Sequence, residues 1–123
     1  MQNTIAFFEI PTTDFRRAVD FYETVLGVRL ATEESSQEKM AFFPASDGNS
    51  SPGAISSAPG FEPSPNGVLI HFQCQDIGQA LDSVIRKGGT IAIPKTKIEC
   101  PDRGWFAVFT DTEGNRVGLY SDK

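Results

Sequence analysis

The apolar positions of this chain change period several times, and each change predicts an element. Residues 5–11 (IAFFEIP) form a short apolar, β-prone run that predicts a strand. Thr12-Thr13-Asp14 then supplies helix N-cap chemistry. Phe15, Ala18, Val19, Tyr22, Val25 and Leu26 follow at i, i+3, i+4, i+7, i+10 and i+11, which is one face of a helix. Gly27 suits the left-handed residue that closes it. Tyr22 lies on the apolar stripe, which leaves its neighbour Phe21 for the helix edge or a contact with another chain. Strands are predicted over 28–32 and 40–44 around a polar turn at 33–39, then a loop over 47–52 and a short strand over 53–57. Residues 59–66 (PGFEPSPN) hold three prolines and read as a linker.

The second half repeats the first. Residues 67–73 (GVLIHFQ) predict a strand, Asp76 a cap, and Ile77, Ala80, Leu81, Val84 and Ile85 a helix face that Gly88-Gly89 ends. Strands are predicted over 90–94, 105–110 and 116–121, the last two joined by the turn Asp111-Thr-Glu-Gly-Asn115. A single offset of 62 pairs Asp14 with Asp76, Phe15 with Ile77, Ala18 with Ala80, Gly27 with Gly89 and Glu9 with His71. An offset that holds across a strand, a cap, a helix and its terminator marks an internal repeat. The expected fold is α+β: one domain over 1–123, built from a module at about 1–58, a linker at 59–66 and a second module at about 67–123.

Composition narrows the partners. A net charge of −5 argues against nucleic acid and against an anionic membrane surface, both of which need a basic face. The start of the chain shows no basic segment followed by an apolar run, and no stretch approaches a membrane span of roughly 20 apolar residues. Cys74 and Cys100 do not form a metal-type pair, so a reduced, cytoplasmic protein is expected. Cys74 belongs to the core, and Cys100 lacks a neighbouring group that would activate it.

The helix Asp14-Phe-Arg-Arg-Ala-Val-Asp-Phe-Tyr-Glu-Thr-Val-Leu-Gly27, together with the Asp111–Asn115 turn, resembles the vicinal oxygen chelate (glyoxalase, bleomycin-resistance, dioxygenase) superfamily. The resemblance implies two βαβββ modules whose sheets curl around a cavity, often in a homodimer. In metal-dependent relatives the first-strand ligand, usually His, stands seven residues before the capping Asp, and a Glu stands on the last strand. Those positions here are Phe7, Ser56, Leu69 and Gly118, none of them a competent ligand beyond a weak hydroxyl. No cofactor is expected, and a divalent metal is disfavoured.

Strand alternation then selects the side chains on the cavity face. Phe7 shares a face with Glu9, Leu69 with His71 and Gln73, and Gly118 with Arg116 and Tyr120. The repeat sets Glu9 opposite His71 as a candidate acid–base pair, the alternative being a hydrogen-bonded structural pair. Phe7, Leu69, Gln73, Trp105, Arg116 and Tyr120 are candidate contacts to a small organic molecule, with the fork of Arg116 suited to a carboxylate. Three functions follow. The first is a metal-free lyase or isomerase using Glu9 and His71. The second is a non-catalytic drug- or metabolite-binding protein of the bleomycin-resistance type. The third is a metal-dependent lyase or dioxygenase with a displaced site at Glu9 and His71.

Overall fold

The structure is a computed structural model that describes residues 4–45 and 50–123, so part of the loop expected over 47–52 lies outside the described residues. The first half runs β1 (Phe8–Pro11), α1 (Phe15–Leu26), β2 (Ala31–Glu34), β3 (Lys39–Phe42) and β4 (Gly53–Ser57). The second runs β5 (His71–Gln73), α2 (Ile77–Arg86), β6 (Thr90–Lys97), β7 (Trp105–Thr110) and β8 (Arg116–Ser121). Each half is a βαβββ module. The sheets are four-stranded, ordered β1-β4-β3-β2 and β5-β8-β7-β6, and they do not close on each other.

The capping aspartates act alike. Asp14 accepts the Arg17 amide at 3.1 Å and Asp76 accepts the Gln79 amide at 3.0 Å. Gly27 ends α1 at φ +66°, a region that favours glycine. Several strand limits differ from the sequence-based expectation: β1 begins at Phe8 rather than at residue 5, and β3 spans Lys39–Phe42 rather than 40–44. β2 starts late because the backbone before it is already engaged: Glu23 takes the Val28 amide through its carbonyl and the Leu30 amide through its carboxylate. β6 runs on through Pro94 to Lys97, which an edge strand tolerates, with two breaks of register against β7. β5 is only three residues long, and the predicted residues before it are not in strand.

Register also corrects the repeat. The parallel pairs are Glu9 with Ala54 and His71 with Gly118. An offset of 62 relates the first strands, but 64 relates the last strands, so the counterpart of Gly118 is Ala54 rather than Ser56.

An aromatic core spans the two modules. Tyr22 of α1 lies 6.0 Å from Phe43, 6.0 Å from Phe72 and 6.2 Å from Phe109, between ring centroids, and so touches both sheets. The expectation that Phe21 stays at the helix edge is wrong: Phe21 and Tyr22 are both 0% exposed. Reading one apolar stripe assumes one partner surface, whereas α1 is covered from two sides. Phe21 packs on Phe109 at 5.7 Å and lies against Gly89, where an added Cβ would stand 3.0 Å from its ring.

The Asp111–Asn115 turn locks the modules together. The Glu113 side chain is fully buried and lies at the start of α1. One carboxylate oxygen accepts the Thr13 amide (2.9 Å), the Thr13 hydroxyl (2.9 Å) and the Asp14 amide (2.8 Å); the other accepts Arg17 Nε (2.8 Å) and the Thr112 hydroxyl (2.8 Å). Burial alone would raise this carboxyl. The Arg17 guanidinium, the Asp14 amide, the Thr112 hydroxyl and the Thr13 amide together outweigh burial and lower it from 4.5 to about 2. Asp111 accepts the buried Tyr22 hydroxyl at 2.6 Å, and burial followed by the Asp111 charge pushes that phenol well above its usual range. Asn115 donates to the Pro11 carbonyl at 2.8 Å and accepts the Ser64 amide at 3.1 Å.

Two outcomes are expected. Because Glu113 titrates lower in the folded chain, its contribution to stability is complete above pH 4.5 and is lost as pH falls towards 2. Glu113→Gln should cost about 2–3 kcal/mol at neutral pH and flatten the acid limb of denaturant-unfolding midpoints; an unchanged acid limb would refute the assignment. Phe21→Ala should cost about 3–5 kcal/mol in the same assay, against under about 1 kcal/mol for an edge residue.

Candidate functional site

Alternation sorts each strand into a helix-facing and an open side. Ile10, Ile55, Val117 and Leu119 belong to the core, with Phe8 and Phe72 packed against it. Their sequence neighbours Glu9, His71, Arg116, Gly118 and Tyr120 therefore face away from the helices. These open faces carry apolar side chains in contact with solvent: Phe7 is 40% exposed, Leu69 44% and Ile93 40%. The Phe7 ring lies 6.2 Å from that of Phe42, tilted by 45°.

His71 sits in a hollow of about 480 Å³ on the second sheet, lined by Leu69, Ile93, Phe106, Val108, Arg103 and Tyr120 among others. Its ring lies over Gly118, where any Cβ would collide with the imidazole. Phe106 meets it edge-on at 6.3 Å. Gly118 is thus the seat of His71, and the space left by the missing side chain is filled by the imidazole. Tyr120 accepts the Gly104 amide at 3.1 Å and donates to Asp122 at 3.0 Å, so its hydroxyl is engaged with the loop above.

Glu9 lines a different hollow, of about 340 Å³, between the modules and beneath the connecting segment. Phe61, Val68, Asn115 and Arg116 share its wall, and Ser56 donates to the Glu9 carboxylate at 2.7 Å. Glu9 and His71 thus line separate hollows, one between the modules and one on the second sheet. Gln73 borders a polar groove between the end of α1 and the start of α2. Trp105 alternates with Phe106 onto the helix side, packs against the core and lies beneath Lys95, whose ammonium is 5.0 Å from the ring.

The positions at which the resemblance would place metal ligands hold Phe7, Ala54, Leu69 and Gly118, which offer no nitrogen, sulfur or carboxylate donor. Among the described residues no three His, Cys, Asp or Glu side chains gather as a metal-binding group. The residues present do not fit that ion.

Sequence reasoning missed Arg103, Phe106, Ile93 and Val108 in the His71 hollow. Alternation along β7 signalled Phe106 and Val108, whereas Arg103 arrives on a loop that carries no period.

Similarity to known proteins agrees with this architecture. The model of the Glyoxalase/Bleomycin resistance protein/Dioxygenase superfamily matches residues 4–119. No curated protein matches the chain. A solved variant of glyoxalase I from Zea mays is similar with a TM-score of 0.74 and 20% identity over 94% of this chain. This chain spans only 46% of that one, about half its length. A glyoxylase/bleomycin resistance protein/dioxygenase domain from Frankia sp. is similar with a TM-score of 0.72 and 12% identity over 100% of both chains. A family enzyme from Burkholderia phytofirmans gives 0.70 and 15% over 98% of this chain and 100% of the other. Identities this low speak for the fold and leave the chemistry to the site. With the paired βαβββ modules and a family match over nearly its whole length, the chain belongs to the Glyoxalase/Bleomycin resistance protein/Dioxygenase superfamily.

Proposed function

We propose that this chain binds a small organic molecule in the hollow beside His71, without a metal ion, and that His71 is the polar contact and acid–base group for it. The observation that carries this reading is a largely apolar hollow of about 480 Å³ with the chain's single imidazole in its wall. That volume falls within the roughly 300–1,000 Å³ of small-molecule sites. An imidazole suits proton transfer near neutral pH.

Glu9 is the second acid–base candidate. It reaches His71 only if a second copy lays its first sheet over this second sheet, and the exposed Phe7 and Leu69 favour such a homodimer. Phe7, Gln73, Arg116 and Tyr120 would then border the shared space. A second reading, binding without turnover, is favoured by the separate hollows of Glu9 and His71 and by the bond from Ser56 that occupies Glu9. The free thiols of Cys74 and Cys100 suit a reducing cytoplasm. Among the described residues no helix is long and apolar enough to cross a membrane.

A thermal-shift screen of small aromatic and aliphatic compounds should return ligands whose affinity drops about tenfold, ~1.4 kcal/mol, in His71→Ala, Phe106→Ala and Gly118→Ala. Ligands that bind all three variants as tightly as the parent chain would place the site elsewhere. Sedimentation equilibrium should give twice the 13.4 kDa chain mass, and Phe7→Glu with Leu69→Glu should return the monomer; a monomeric parent chain would remove Glu9 from the site. If any ligand is converted, Glu9→Gln should stop turnover without loss of binding, and undiminished turnover would favour another base.

A further inference from the structure

We infer that the His71 hollow selects an apolar monoanion, a carboxylate on an aromatic or hydrocarbon body, and that Arg103 is the residue that selects it; the inference rests on the binding role proposed for this hollow. The chain carries 16 acidic and 11 basic side chains, yet no Asp or Glu lines this hollow, whose only ionisable nitrogen groups are Arg103 and His71. Within one chain, a cation entering would meet the guanidinium and no lining carboxylate. The neighbouring hollow differs, because Glu9 and Glu62 stand there with Arg116.

The guanidinium is available. The ion pairs among the described residues are Arg16–Glu34, Arg17–Glu113 and Lys87–Asp20, and none involves Arg103. Its side chain donates no hydrogen bond to a described residue, so its fork is open to a ligand carboxylate.

The loop that presents Arg103 is also braced. The Lys97 ammonium donates to the Arg103 carbonyl at 2.6 Å and to the Ile98 carbonyl at 3.3 Å. The Ile98 amide donates to the Gly104 carbonyl at 3.0 Å, and the Arg103 amide to the Cys100 carbonyl at 3.2 Å. Gly104 lies flush on β8, where a Cβ would strike the Ser121 carbonyl, and its amide is held by Tyr120. Asp102 takes φ +65° to turn the chain into Arg103. A braced backbone under an unpaired cation lowers the entropy lost when an anion binds. Beside Cys100 and Tyr120, the rest of the wall is Leu69, Ile93, Ile98, Phe106 and Val108, which rewards a ligand that sheds water from an apolar body.

Three probes of one shape test the inference on the full chain: phenylacetate, phenylacetamide and 2-phenylethylammonium. His71 is the single histidine, so its imidazole proton resonances report occupancy of this hollow directly. Phenylacetate should shift them saturably and bind at least fivefold more tightly than the amide, with the ammonium weakest. Arg103→Gln should abolish the preference for the anion while leaving the affinity of the amide within twofold, and Arg103→Lys should restore part of it. Equal binding of all three probes, or an anion preference that survives Arg103→Gln, would overturn the selectivity and leave the binding site standing. If no probe moves the imidazole resonances, the selectivity and the proposed site fall together.

Discussion

One buried carboxylate holds the two halves of this fold in register. Glu113 accepts from two backbone amides, two hydroxyls and a guanidinium, most of them at the start of the opposite module's helix. A charge removed from water is costly unless its lone pairs are filled, and here they are. The same turn sends Asp111 to the Tyr22 hydroxyl and Asn115 to the Pro11 carbonyl, so one five-residue segment ties β7 and β8 to α1, β1 and the connecting segment. Those ties sit beside the aromatic cluster around Tyr22, where apolar burial supplies the bulk of the adhesion and the polar clamp sets the angle between the parts.

The site is the reverse side of this arrangement. Period-two alternation that gives Leu119 and Val117 to the core gives Gly118 to the open face, and the absence of a side chain there admits the imidazole of His71. Where metal-dependent relatives are expected to place a carboxylate ligand, this chain has put a titratable ring on an apolar floor. The exchange leaves a hollow whose nitrogen groups are one imidazole and one guanidinium, beside the Tyr120 ring and the Cys100 thiol.

Much of this was legible in the sequence, and the rest failed for identifiable reasons. Both caps, the left-handed Gly27, the βαβββ repeat and the face on which His71 and Gly118 lie follow from short-range rules that depend on a few neighbouring residues. The fate of Phe21 did not, because a second surface covering α1 from the other module has no signature within the helix. The offset of 62 carried through the first strands and helices but missed two residues gained before the last strand, which moved the equivalence from Ser56 to Ala54. The clamp residues were seen as a turn, since nothing local to Glu113 announces a partner about a hundred positions earlier. Arg103 belongs to the same class: its location depends on a Lys97 bond to a loop carbonyl.

The outer strand of the second sheet has a consequence for solubility during synthesis. β6 ends its sheet, carries Pro94, and slips register twice against β7. Proline withdraws a donor from the free edge and the slips twist it, so a foreign strand meets an interrupted template. Lys95 and Lys97 add charge along the same margin. A nascent chain with ten phenylalanines would otherwise be exposed to runaway strand addition at that border. The interrupted border leaves an incoming strand fewer aligned donors to pair with.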